Sequence, residues 1–167
     1  DANGQAQTAQ ETGPVISGNG QYVVSQSATE GMWLWDATSD TTRLLSSDAR
    51  ADAGTDALAI DNEGRYVAYV GWVGEGVYLI DTTTNSISQI SEGASSPNTC
   101  ASVSISDDGR YVAFGCYSDA SGNEIYIYDT AAHQLKSIED KNGATLDGSE
   151  PMISGNGRYI AFSSSSN

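Results

Sequence analysis

Four copies of one nine-residue pattern run through this chain of 167 residues: Ile16-Ser17-Gly18-Asn19-Gly20-Gln21-Tyr22-Val23-Val24, Ile60-Asp61-Asn62-Glu63-Gly64-Arg65-Tyr66-Val67-Ala68, Ile105-Ser106-Asp107-Asp108-Gly109-Arg110-Tyr111-Val112-Ala113 and Ile153-Ser154-Gly155-Asn156-Gly157-Arg158-Tyr159-Ile160-Ala161. Their turn glycines, Gly20, Gly64, Gly109 and Gly157, follow one another at 44, 45 and 48 residues. A short apolar segment, a turn with Gly where positive φ is required, and a returning Tyr-Val-Val or Tyr-Val-Ala segment make a tight antiparallel hairpin. A period of this length marks an architecture of stacked units that bury one another's faces.

The rest of each period repeats as well. A third strand reads Met32-Trp33-Leu34-Trp35-Asp36, Val77-Tyr78-Leu79-Ile80-Asp81 and Ile125-Tyr126-Ile127-Tyr128-Asp129, alternating aromatic and aliphatic residues as a strand enclosed between neighbouring sheets does. After a polar turn comes a more polar fourth strand: Thr42-Arg43-Leu44-Leu45, Ser86-Ile87-Ser88-Gln89-Ile90 and Gln134-Leu135-Lys136-Ser137-Ile138. Four strands per period predict an all-β fold of β-propeller blades. The expected division is a leading segment 1–13, blade one 14–49, blade two 50–94, blade three 95–140, and the first half of blade four, 141–167. The ring is therefore incomplete within this chain.

These residues resemble the repeat of the TolB-like, WD-repeat-like β-propellers, whose blades carry an I-S-x-D-G-R-Y-[VI]-A-F hairpin followed by I-Y-[LV]-[YI]-D. The likeness runs from Gly13 to Phe162, with Gln21 in place of Arg and Val24-Ser25 in place of Ala-Phe in blade one. Such a family includes translocation factors of the periplasm, peptidase-associated propellers and secreted proteins, so the resemblance implies a fold and no one activity.

The opening Asp1-Ala2-Asn3-Gly4 is echoed by Asp140-Lys141-Asn142-Gly143, so the chain closes by re-entering the pattern with which it starts. An unclosed propeller exposes strand edges and an aromatic blade face. Three states are open: a piece of a longer propeller, completion by another copy, or a stable half-propeller. The hairpin from Glu150 to Ser163 is the expected contact, with Glu150, Met152, Tyr159, Ala161 and Ser163 as interface residues toward another copy or the continuation of the chain.

Seven Lys and Arg against 22 Asp and Glu give a formal charge of -15, which repels nucleic-acid phosphates and anionic lipid surfaces and favours cationic partners or divalent ions. No apolar run is long enough to insert into a membrane. Without an initiator Met, an apolar signal segment or a lipidation motif, residue 1 reads as a mature or cropped end. Cys100 and Cys116, the only cysteines, fall in blade three. A turn centred near Asp108 places Ile105 opposite Tyr111 and, in the same register, Cys100 opposite Cys116, so a cross-strand disulfide is expected. Its loop of about 17 residues is worth about 3 kcal/mol in the chain-entropy picture, and it points to a secreted, extracellular or periplasmic setting.

Asp119-Ala120-Ser121-Gly122-Asn123-Glu124, in the expected loop between the second and third strands of blade three, places oxygen-bearing side chains at every second position, like the start of a calcium loop, so Asp119, Ser121, Asn123 and Glu124 are the candidate metal ligands and calcium the candidate cofactor. Its Gly stands at the fourth position and no Glu closes the loop twelve residues on; polar turns with Asx caps compete with this reading. Asp36, Asp81 and Asp129 recur once per blade, as turn residues do and a catalytic residue does not. His133 has no second His and no G-x-S-x-G element to work with. Trp33, Trp35, Tyr69 and Tyr78 suit blade-to-blade packing, while Trp72 in Gly71-Trp72-Val73-Gly74-Glu75-Gly76 is the better candidate for an exposed contact. The expectation is a secreted, non-enzymatic module for structural assembly or protein binding, such as the repeating unit of an extracellular oligomer or filament completed by strands from a neighbour. The alternatives are an accessory propeller of a larger hydrolase or peptidase, and a glycan or small-molecule binder.

Overall fold

The computed structural model describes residues 13–27, 31–47, 58–71, 76–94, 99–119 and 122–164. All regular elements among them are strands, grouped in four antiparallel sheets. Blade one is β1 (Val15–Ile16), β2 (Tyr22–Ser27), β3 (Gly31–Asp36) and β4 (Thr41–Ser46). Blade two is β5 (Leu58–Ile60), β6 (Tyr66–Val70), β7 (Val77–Asp81) and β8 (Ser86–Gln89), and blade three is β9 (Thr99–Ile105), β10 (Tyr111–Ser118), β11 (Gly122–Asp129) and β12 (Gln134–Ser137). Each pairs its strands in sequence order, and the fourth sheet holds β13 (Ser149–Ile153) and β14 (Ile160–Ser163).

The hairpin turns form as the glycines require, with φ of 73° at Gly20, 70° at Gly64, 68° at Gly109 and 68° at Gly157. The second residue of each motif locks its turn. The Ser17, Ser106 and Ser154 hydroxyls accept the amides of Tyr22, Tyr111 and Tyr159 at 2.9, 3.0 and 3.0 Å. They in turn donate to Asn19, Asp108 and Asn156 two residues on. Blade two carries Asp61 here, which only accepts; it takes the Tyr66 amide at 3.2 Å.

Turn position corrects the expected register. Ser106 closes the turn with Tyr111, so Ile105 pairs with Val112 rather than Tyr111. Carried on unbroken, this pairing would set Ala101 opposite Cys116; a bulge between Gly115 and Cys116 absorbs one residue and brings Cys100 opposite Cys116. The two form a disulfide. The cysteine pairing expected from sequence is present, but a bulge creates it.

Blade faces alternate. Tyr22, Val24 and Gln26 of β2 turn toward blade two, with Met32 and Leu34 of β3 on the same face, and Arg43 reaches across to the Asn85 side chain and the Thr82 carbonyl. The core is the stack of such contacts: Val67, Val70, Ile80, Val112, Phe114 and Ile125 are fully enclosed, with Tyr69 stacked on Tyr78 at 5.3 Å and Phe114 on Tyr126 at 5.7 Å.

Candidate functional site

Consecutive blades meet through one repeated contact. The Tyr of each hairpin lays its ring against the turn Gly of the next blade, leaving no room for a side chain there. A Cβ on Gly109 would lie 2.6 Å from the Tyr66 ring, one on Gly157 would lie 2.5 Å from the Tyr111 ring, and one on Gly64 would collide with Tyr22. Between blades two, three and four a backbone ladder runs beside it: the Asn62 N–H donates to the Asp107 carbonyl at 3.0 Å, and the Asp107 N–H to the Gly155 carbonyl at 2.8 Å. Ser104 adds a side-chain link, donating to the Pro151 carbonyl and accepting the Ile153 amide.

Three such contacts join four hairpins, and one half remains at each end. Around Gly20 the space a Cβ would occupy is open, with nothing within 4 Å among the described residues. At the other end Tyr159 is 66% exposed and Met152 71% exposed. Glu150, Ala161 and Ser163 are exposed as well, so the five residues expected at an interface share an uncovered hairpin; Ile160 and Phe162, between them, turn toward blade three and are half-buried. A groove of about 520 Å³ adjoins them, lined by Leu58, Val103, Glu150, Met152 and Ala161 among others. The opposite end face was not foreseen: Ile16 is 63% exposed, with Val23 beside it half-buried. Pairing each Tyr with the following Gly across the four sequence copies would have exposed the odd Gly20 and Tyr159.

The proposed calcium residues do not sit in one loop. β10 and β11 pair as far as Ser118 and Gly122, so Asn123 and Glu124 belong to a strand and point to opposite faces, Asn123 exposed and Glu124 buried. Tyr126 donates its hydroxyl to Glu124. Asp119 lies just beyond β10, and Ser121 lies outside the described residues. Among the described residues no three acidic, His or Cys side chains gather as a metal site would require.

Asp36, Asp81 and Asp129 accept the amides of Thr38, Thr83 and Ala131 at 2.8, 2.9 and 3.0 Å, the Asx caps their recurrence predicts. They also serve the hairpin: Arg65 pairs with Asp81 at 3.1 Å and Arg110 with Asp129 at 3.2 Å, while Gln21 reaches Asp36. The Thr38 amide holds the Asp36 carboxyl below its ordinary range. For Asp81 burial pushes the other way, but the Thr83 hydroxyl and amide and Arg65 together keep it low. His133 stands four residues past Asp129 at φ 52°, as Asp40 and Asn85 stand past Asp36 and Asp81 at 49° and 55°. It is a turn residue touching the Tyr128 hydroxyl at 3.2 Å.

Trp33 and Trp35 share a face with Ser25 and Val23, away from blade two, so they do not fill the contact between blades one and two. The Trp33 indole N–H is buried without a partner among the described residues, and that of Trp35 reaches Asp40 at 3.3 Å. Trp72 lies outside the described residues.

No family model matches the sequence, and no curated protein does. Solved structures do. TolB from Acinetobacter baumannii aligns over 94% of this chain and 39% of its own length, with a TM-score of 0.64 and 16% identity. A protein assigned as TolB from Agrobacterium tumefaciens aligns over 93% of this chain and 54% of its own, at 0.60 and 19%. The tricorn protease aligns over 89% of this chain and 14% of its own, at 0.66 and 17%. The chain thus spans roughly half or less of each, and at such identities the likeness concerns the fold alone: this protein has the β-propeller fold of the TolB-like proteins.

Proposed function

We propose that this chain is a non-enzymatic propeller module for protein binding or structural assembly, acting outside the reducing cytoplasm through its uncovered blade-four hairpin. The observation that carries this is the pattern of exposure: Met152 and Tyr159 stand in water at positions whose counterparts in the interior blades are covered by the next blade. Large apolar side chains grouped in this way on one face mark a contact surface rather than scattered surface residues. The Cys100–Cys116 disulfide supports an oxidising compartment, and the charge of -15 supports a partner other than nucleic acid.

Amide hydrogen exchange of the chain, followed by mass spectrometry from dilute to concentrated solution and with candidate partners, tests the reading. Residues 150–163 are expected to exchange fast in the dilute monomer and to become protected on association. Full protection of this hairpin in a monodisperse monomer at every concentration would refute it.

A further inference from the structure

Resting on that reading, we infer that the partner of the blade-four hairpin is a second copy of this chain, docked head to tail so that Tyr159 of one copy seats on the Gly20 turn of the next. The two ends are halves of a contact the molecule already makes three times. Tyr22 covers Gly64, Tyr66 covers Gly109 and Tyr111 covers Gly157. The remaining turn, Gly20, has φ of 73° and open space over it, and the remaining ring, Tyr159, is 66% exposed.

The backbone ladder has matching loose ends. The ladder links blades two, three and four, Asn62 donating to Asp107 and Asp107 to Gly155; among the described residues no rung joins Gly18 to Asn62, and the Gly155 N–H and the Gly18 carbonyl have no backbone partner. Both ends are glycine at this position, so no side chain obstructs the next rung. Apolar groups also correspond. The face of blade one that would meet the hairpin offers Ile16 and Val23, and the hairpin offers Met152 and Ala161. A contact between two different faces of identical chains is heterologous: it closes as a ring if the rotation permits and otherwise runs on as a filament. Each copy carries -15, so association strengthens as salt screens that repulsion.

Complementation distinguishes this contact from any other. Ile16→Glu spoils one face and Met152→Glu the other; both sites are exposed, so each chain folds. Sedimentation at about 150 mM salt, where the Debye length is about 8 Å, is expected to show the native chain associating and each variant alone as a monomer, its self-affinity reduced at least about a hundredfold by the charge placed in an apolar contact. An equimolar mixture of the two is expected to form a heterodimer and stop, because one intact pair of faces remains. Gly20→Asn tolerates the left-handed backbone and puts a side chain in the path of Tyr159, so it weakens association with an unchanged melting temperature. If Ile16→Glu still self-associates while Met152→Glu does not, the hairpin binds elsewhere: the head-to-tail contact is overturned and the wider assembly reading stands. A native chain that stays monomeric with a fast-exchanging hairpin overturns the second-copy inference alone. A monomer with a protected hairpin overturns both.

Discussion

The interior hairpin strands β6 and β10 and the end strands β2 and β14 carry nearly the same sequence and live in different surroundings. In β6 every residue after Tyr66 is buried, and in β10 the run from Val112 to Cys116 is buried without interruption. In β2, Val24 and Gln26 are buried while Ser25 between them is exposed; in β14, Ile160 and Phe162 are half-buried while Ala161 and Ser163 are exposed. A strand with a blade on each side loses the period-two alternation of burial, and a strand with a blade on one side shows it plainly. Burial here is a property of position in the stack, not of the residue. Val67 and Val23 occupy the same place in the motif, one fully enclosed and the other half-buried.

The largest test of this contrast removes side chains from the two kinds of face. Phe114→Ala empties an enclosed site stacked on Tyr126 and is expected to cost about 3–5 kcal/mol in denaturant unfolding. Met152→Ala, measured on dilute monomer, is expected to stay within about 0.5 kcal/mol. Comparable losses at the two sites would break the comparison.

The turn glycines sharpen it. Gly64→Ala meets both the left-handed backbone and the Tyr22 ring, whereas Gly20→Ala meets the backbone alone. Gly20→Ala is expected to cost about 1–2 kcal/mol. Gly64→Ala should exceed it by about 1–3 kcal/mol for the overpacked contact, read as the difference in unfolding free energy.

A smaller effect separates blade two from its neighbours. Asp61 stands where the other hairpins carry Ser, and its carboxyl is buried beside Gly109. Burial raises its pKa above the ordinary 3.8, against the pull of the Tyr66, Arg65 and Gly64 amides. A carboxyl raised in the folded state favours folding while protonated, and that contribution fades as pH rises through its folded value. Asp61→Asn keeps an acceptor for the Tyr66 amide and removes the titration. Its stability relative to the native chain is therefore expected to increase as pH climbs above about 3.8 and to level off beyond the folded pKa, in melting curves taken across that range. A gap that narrows with rising pH would contradict the burial of this charge.

Much of this was legible from residue order because the fold is local and repeated. The four-strand order, the positive-φ glycines and the Asx turns at Asp36, Asp81 and Asp129 all follow from contacts within one blade, where spacing and turn chemistry suffice. The 122–124 end of the expected loop was misread for the same local reason: polar residues at every second position suit a loop, and they equally suit a strand with one wet face. Pairing with β10 extends β11 back to Gly122 and sends Asn123 and Glu124 apart.

By itself the sequence determined the blade: alternation chose strands, glycine chose the turns, and the period set the repeat. Tertiary structure alone decided how blades meet, because the ring of Tyr22, Tyr66 or Tyr111 finds its glycine some forty residues away, across a sheet interface that no local pattern encodes. It also decided the bulge that turns a mismatched register into the Cys100–Cys116 pair. Among the described residues the same packing leaves Gly20 and Tyr159 open, since each contact needs a Tyr ring and a turn Gly from two neighbouring blades.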